Sequence, residues 1–340
     1  MTRKLATIRA INSLIPIKDA DQIELAKIDG WQVVIKKGEF ESGDLCVYFE
    51  IDSWIPTEIA PFLSKGKEPS TFNNVPGERL RTIKLKGQLS QGLAIPLHQL
   101  SEETVDFCTS IDWNHPTGID LTEHLNIQLY EKPVPAQLTG LTKGNFPSFI
   151  YKTDQERIQN IPDDVFEMWK TDTWEITEKL DGSSMTIYLN KDEFGICSRN
   201  LELKLDQTGN TFVDVGKQYE ATLRQWNLNI AIQGELIGPG IQGNKYGLTK
   251  HEYRVFDIFD INNQKYFTPS GRHEAVSLLN IPHVPIIGNT TLKTTTKESL
   301  LEMAEGLSFL NSSQREGLVF KNHNSGSFKA ISNKWLLNAK

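Results

Sequence analysis

Through the first hundred residues, apolar and polar positions alternate at a period of two. Broken by turn signals at Lys37-Gly38, Ser42-Gly43-Asp44 and Pro76-Gly77, the alternation predicts strands over 31–36, 45–51, 79–85 and 93–97. That spacing favours a small barrel. The opening residues 1–17 carry Arg3, Lys4 and Arg9 with no acid before Asp19, and Leu5, Ile8, Ile11, Leu14 and Ile15 sketch a helical face of the kind found in organellar transit peptides. Their β-branched content and Pro16, with no cleavage site, favour a first strand instead. Beyond Phe149 the period switches back and forth. Strand-like runs at 174–179, 184–189, 230–237, 253–261 and 317–321 alternate with helical runs at 163–170, 213–226, 270–279 and 297–307. In the second helical run Val215, Tyr219, Leu223 and Trp226 share a face and form a core stripe. The expected class is α+β: a small barrel over 1–130, a linker over 131–148, and over 149–340 antiparallel sheets with flanking helices.

Charge supports that division. Residues 1–100 hold 13 Lys+Arg against 12 Asp+Glu, whereas 101–150 hold 2 against 7. Pro133, Pro135, Gly140, Gly144 and Pro147 then crowd the presumed connection. The formal net charge of −7 requires any nucleic-acid partner to meet a local basic patch. Cys46, Cys108 and Cys197 stand far apart with no CxxC pair, which argues for reduced thiols and against structural zinc. No run of 18 apolar residues is present, so no membrane partner is expected; a monomeric, cytoplasmic protein is.

One segment concentrates chemistry. Glu178-Lys179-Leu180-Asp181-Gly182-Ser183 stands where a predicted strand meets a turn. Alone, K-x-D-G is a weak signal and describes many exposed turns. Further along come Ser198-Arg199-Asn200, Gly234-Glu235, Phe256-Asp257, Glu316-Gly317-Leu318-Val319 and Phe328-Lys329. In order and spacing, these six resemble the motif series of the covalent nucleotidyltransferases, the ligases and mRNA capping enzymes, over roughly residues 149–332. Lys152-Thr153-Asp154-Gln155-Glu156-Arg157, the run 234–244 and Ser327 to Asn333 are more narrowly similar to ATP-dependent RNA ligases, in the nick-sealing group with an OB-type module ahead of the adenylyltransferase domain.

The resemblance implies that Lys179 attacks ATP and carries AMP. An unperturbed lysine near pKa 10.4 is neutral in only about one molecule in 10³ at physiological pH, a handicap of roughly 4 kcal/mol. Asp181 alone would worsen it, because a carboxylate favours the ammonium. A hydrated Mg²⁺ or Mn²⁺ near Asp181 inverts that logic, and the resemblance assigns Asp181, Glu235 and Glu316 to the ion, through water. It also implies Glu178 and Gly182 beside the nucleotide, Phe256 stacked on adenine, Arg199 and Asn200 on the ribose and the 5′-phosphate end, and Arg157 and Lys329 on phosphate. Gly182 suits a close backbone approach. Relatives often carry K-x-K at the last motif. Ile331 stands at the second position here, which leaves Lys321 as candidate companion cation.

Capping enzymes and most DNA ligases add a domain after the last motif, whereas 11 residues follow Lys329 in this sequence. The expected partner is therefore RNA or an RNA-containing nicked duplex. A GTP-using capping-type enzyme and a catalytically dead nucleic-acid-binding relative stand as alternatives. Arg79, Arg81, Lys84 and Lys86 are candidates for backbone contact, although period two splits them between faces. Gly238 to Gly243 satisfies GxGxxG, but Pro239 interrupts it and no helix pattern follows.

Overall fold

The computed structural model describes residues 3–112, 116–131, 141–152 and 154–338. The chain divides into two compact units, Met1–Pro133 and Val134–Lys340.

The first unit is built from short antiparallel sheets. Ala6–Ala10, Leu45–Phe49 and Leu93–Pro96 form one, with the middle strand central. Ser13–Pro16, Ile23–Ile28 and Trp31–Lys36 form a meander, and Gln128–Leu129, Ser53–Pro56, Val75–Arg79 and Ser70–Phe72 a third sheet. The period-two pattern does its work in Trp31–Lys36: Trp31, Val33 and Ile35 are buried while Gln32, Val34 and Lys36 look outward. The opening segment is two strands, not a helix. The expected strand 79–85 is broken. Val75–Arg79 is followed by one more paired residue, the Leu80 N–H donating to the Ser53 carbonyl at 2.9 Å, and the chain resumes as Ile83–Leu85, paired among the described residues with Gln88–Ser90. A helix at Glu102–Asp112 was not anticipated. Its signals are a Ser101 hydroxyl that accepts the Thr104 N–H and two glutamates in the first turn; both lay within the acidic stretch read above as a boundary.

The second unit contains two sheets. Seven strands run in the order Thr142–Asn145, Leu201–Leu203, Glu193–Ser198, Ser183–Asn190, Ile230–Ile237, Glu252–Asp260, Lys265–Tyr266. The first corrects the linker expectation, because residues 142–145 are an edge strand; residues 132–140 of that segment lie outside the described residues. The predicted helix 213–226 is three pieces: Thr211–Gly216, a 3₁₀ turn at Lys217–Tyr219 and Glu220–Trp226. Its stripe survives, with Val215 and Leu223 buried and Tyr219 and Trp226 packed against the same core. Lys297–Ala304 stops three residues before the predicted end, at a backbone that turns extended at Glu305 ahead of Gly306.

The five-stranded sheet runs Glu156–Arg157, Gly326–Ile331, Gly317–Asn322, Thr173–Lys179, Ile286–Thr291, with the first pair parallel. Its two faces differ sharply. Trp174, Ile176, Leu318, Phe320, Phe328 and Ala330 build a core beneath helices Asp163–Trp169 and Lys297–Ala304, and directly opposed Phe320 and Phe328 stack at 4.7 Å. The intervening positions Glu175, Lys179, Lys321 and Lys329, with Arg157 in register beside Lys329, belong to the other face. Four strands of the sheet thus gather charge on one side from residues 157, 175, 179, 321 and 329, which are far apart in sequence.

Candidate active site

Lys179 is the last residue of its strand, opposite Gly317, and its Nζ lies 2.7 Å from Glu316 Oε1. The lysine is partly exposed and the carboxylate nearly buried. Burial alone would push the ammonium down, but Glu316, Glu235 and Asp181 together hold it above the ordinary lysine value. The carboxylates respond in kind. Burial, with Glu316 and Asp181 close by, raises Glu235 to about 8 against the pull of Lys179, and burial likewise raises Glu316.

Glu235 points away from the helices that cover Ile230, Ile232 and Leu236, and its Oε1 accepts the Gly182 N–H at 3.0 Å. This contact explains the glycine. A Cβ at residue 182 would lie 2.5 Å from the Leu236 carbonyl oxygen and 2.9 Å from Glu235 Cγ, neither of which is free to retreat from the sheet. The turn is also strapped from above. After Ile237 the chain loops so that Tyr246 Oη accepts the Asp181 N–H at 2.7 Å, while Lys245 Nζ forms an ion pair with Asp181 Oδ2. Trp335 Nε1 donates to the same oxygen at 3.3 Å, and the Lys245 ammonium sits 5.0 Å from the Trp335 ring centroid. Asp181 is thus neutralised by Lys245, and Lys179 by Glu316.

On the same sheet face Lys329 Nζ donates to Asp154 Oδ1 at 3.0 Å; the other oxygen of Asp154 lies 3.5 Å from Arg199 Nη2. Burial, together with Arg157 and Lys179, lowers Lys329 to about 8 despite Asp154. Asn200 Oδ1 accepts Lys152 Nζ at 2.8 Å.

Lys321 is placed differently from the expectation of a companion to Lys329. It is buried, pairs with Asp257 Oδ1 at 2.7 Å and donates to the Phe256 carbonyl at 2.6 Å. Its ammonium lies 5.5 Å from the Phe256 ring centroid. Phe256 itself is half-buried against Leu180, Ile237, Tyr246 and Val284. The alternation of the strand sends Glu178 to the face opposite Lys179, where its Oε2 accepts the Phe309 N–H at 2.8 Å and burial raises its carboxyl.

The structure therefore brings Lys179, Glu316, Glu235, Asp181 and Gly182 together, with Lys329, Arg157 and Arg199 joined through Asp154 and the shared sheet. Sequence reasoning missed Asp154, Lys245, Tyr246 and Trp335 as participants. All four lie in or next to segments already quoted, but only the folded loop and the C-terminal helix Asn333–Asn338 carry the last three to the Lys179 turn. Among the described residues no three His, Cys, Asp or Glu side chains converge as direct metal ligands. Three mutually repelling carboxylates around two ammonium groups suit an ion held through its water shell.

Comparison with known proteins identifies the family. The RNA ligase family profile matches residues 172–335, and an OB-fold domain profile matches 5–97. No curated protein sequence matches. Among solved structures, an apo mutant of the Naegleria gruberi RNA ligase is 43% identical with a TM-score of 0.89, covering 99% of this chain and 98% of that one. A mutant of the same ligase with AMP and Mn is 42% identical, again with a TM-score of 0.89 and 99% of each chain covered. A mutant with ATP and Mn, 42% identical, has a TM-score of 0.87 over 98% of this chain and 99% of that one. With 43% identity over nearly the whole of both chains, the chain belongs to the RNA ligase family, and an OB-fold domain precedes its ligase domain.

Proposed function

We propose that this protein seals 3′-OH/5′-phosphate breaks in RNA, at nicks with ribonucleotides on the 3′-OH side, using ATP and a divalent cation through an AMP adduct on Lys179. The observation that carries the reading is Lys179 at a strand end, 2.7 Å from Glu316 and ringed by Glu235 and Asp181, in a chain 42% identical to a ligase solved with ATP and Mn.

In the first step the Lys179 amine, once deprotonated, attacks the α-phosphorus of ATP; a P–N bond forms and the P–O bond to pyrophosphate breaks. Asp181, Glu235 and Glu316 would hold the divalent ion through water, where it neutralises phosphate charge and offsets the carboxylates that keep Lys179 protonated. Arg157 and Lys329 stabilise charge on the transferred phosphoryl group, and Phe256 stacks on adenine. AMP then passes to the 5′-phosphate with cleavage of the P–N bond, next to Arg199 and Asn200. Last, the 3′-OH attacks that phosphorus and AMP leaves. The decisive assay seals nicked duplexes carrying RNA or DNA on each side of the break. Sealing indifferent to a 3′-terminal deoxynucleotide removes the ribonucleotide preference, and adduct formation from GTP but not ATP returns the capping-type alternative.

The ion pair between Lys245 and Asp181 makes a further expectation. Its ammonium occupies the carboxylate that the ion would engage, so Lys245→Ala should tighten Mn²⁺ binding by roughly fivefold, the weight of one partly exposed ion pair. Electron paramagnetic resonance of free Mn²⁺ measures this without turnover, and unchanged or weaker binding refutes it.

A further inference from the structure

The OB-fold unit carries a small ribbon that its own core does not use. Ile83–Leu85 and Gln88–Ser90 pair as a two-stranded hairpin, Leu85 opposite Gln88, across Lys86-Gly87, both at positive φ. Two such residues are what a tight hairpin turn with matching twist demands. Among the described residues the returning strand is the one anchored to the unit: the Ser90 hydroxyl accepts the Val34 N–H at 3.0 Å, and Gln32 Nε2 donates to the Leu89 carbonyl at 3.0 Å. The outgoing strand is an open edge, with all three of its residues exposed.

Its composition is unusual for this acidic chain. From Arg79 to Ser101 there are four Lys or Arg residues and no Asp or Glu. Arg79 is tied to Asp52, but Arg81, Lys84 and Lys86 are exposed and form no ion pair among the described residues. Between them stand Ile83 and Leu85, 47% and 38% exposed, on the face opposite Lys84. Three cations with no ion pair among the described residues make a local basic patch in a chain of net charge −7. No aromatic residue lies in residues 80–92, so the ribbon has no surface on which single-stranded bases stack. Its chemistry matches a double-helical backbone, with phosphates for the ammonium and guanidinium groups and ribose edges of a wide, shallow A-form minor groove for the isoleucine and leucine.

The geometry points to the hairpin Ile83–Ser90 as a docking element for the backbone of an RNA-containing duplex, with Arg81, Lys84 and Lys86 on phosphates and Ile83 and Leu85 against the sugars. This rests on the proposed sealing activity and adds the surface that holds the duplex. Lysines on an exposed edge strand also guard against edge-to-edge aggregation, and that simpler role makes a different prediction.

The test is the salt dependence of nicked RNA duplex binding to the full-length protein, wild type against Lys84→Ala/Lys86→Ala. Loss of two phosphate contacts lowers the slope of log affinity on log salt by about 2 and weakens binding about tenfold near 0.1 M salt. Ile83→Ser/Leu85→Ser should weaken binding with the slope unchanged. If neither pair moves affinity or slope, the hairpin is a guarded edge and the inference is overturned. AMP-adduct formation on wild-type Lys179, measured in parallel, reports on the proposed chemistry separately. An adduct with no response from the hairpin variants overturns only the docking element, and absence of an adduct overturns the sealing activity on which it rests.

Discussion

Lys179→Ala is expected to form no AMP adduct with labelled ATP and Mg²⁺ or Mn²⁺, and its sealing rate should fall by at least about 10³-fold, because the proposed P–N bond is made by its amine. Lys179→Arg should fail equally. Its guanidinium keeps the ion pair with Glu316 but stays protonated at any working pH, so charge without a neutral amine is not enough. The free protein makes this demand severe. Glu316, Glu235 and Asp181 hold the lysine above its ordinary pKa against burial, so fewer than about one molecule in 10³ carries a neutral amine near pH 7.4 before nucleotide and ion arrive. Intact-mass spectrometry after ATP treatment measures the outcome. A thermal melt shows whether the variant is folded, and an adduct of undiminished yield on either variant places the nucleophile elsewhere.

The strands of the ligase domain were legible because apolar residues fill them: the seven-stranded sheet is apolar on both faces, with Ile187, Ile196 and Ile232 on one and Tyr188, Cys197 and Ala231 on the other, and the five-stranded sheet packs its core on one. Trp174, Ile176, Phe320 and Phe328 announce the core side of the five-stranded sheet, and the charged positions between them announce the other. The barrel strand 79–85 was misread because its pairing with the Ser53–Pro56 segment stops after Leu80, and the alternation beyond it belongs to an exposed ribbon with no core to face. The helix over 102–112 was hidden by its own acids, which favour a helix N-terminus but also mark an acidic stretch. The site divides in the same way. Lys179, Asp181, Gly182, Glu235 and Glu316 stand in short motifs and could be named from the family resemblance that those motifs carry. Lys245, Tyr246 and Trp335 act through a loop and a terminal helix whose return to the Lys179 turn no local pattern encodes. Lys321 was expected as the companion cation of Lys329, but the sheet register directs it to Asp257 and the Phe256 carbonyl.

Arg272→Leu should destabilise the ligase domain by about 3–5 kcal/mol, the cost of breaking one side of a buried ion network. Arg272 is 2% exposed on helix Pro269–Leu279, a segment that the motif series does not include. It pairs with Glu175 on the five-stranded sheet, lies 3.7 Å from Asp257 on the seven-stranded one, and donates through Nε to His283 Nε2 at 2.9 Å. His283 can accept because burial, reinforced by the charges of Arg272 and Lys321, lowers it to about 3 and keeps it neutral, with Nδ1 donating to the Val284 carbonyl. Without the guanidinium, Lys321 is left to balance Asp257, and buried Glu175 keeps the His273 imidazole at 2.7 Å but no permanent cation of its own. At 2–4 °C per kcal/mol for a domain of this size, the melting temperature should fall on the order of 10 °C. Glu175→Leu on the same background should recover much of the loss by removing the stranded carboxylate. Arg272 also steadies the Asp257–Lys321 pair that holds the Phe256 backbone, so KM for ATP in adduct formation should rise in Arg272→Leu at temperatures where it remains folded. A melting temperature within about 2 °C of wild type, or a paired variant less stable than Arg272→Leu, would show that the network does not bind the two sheets together.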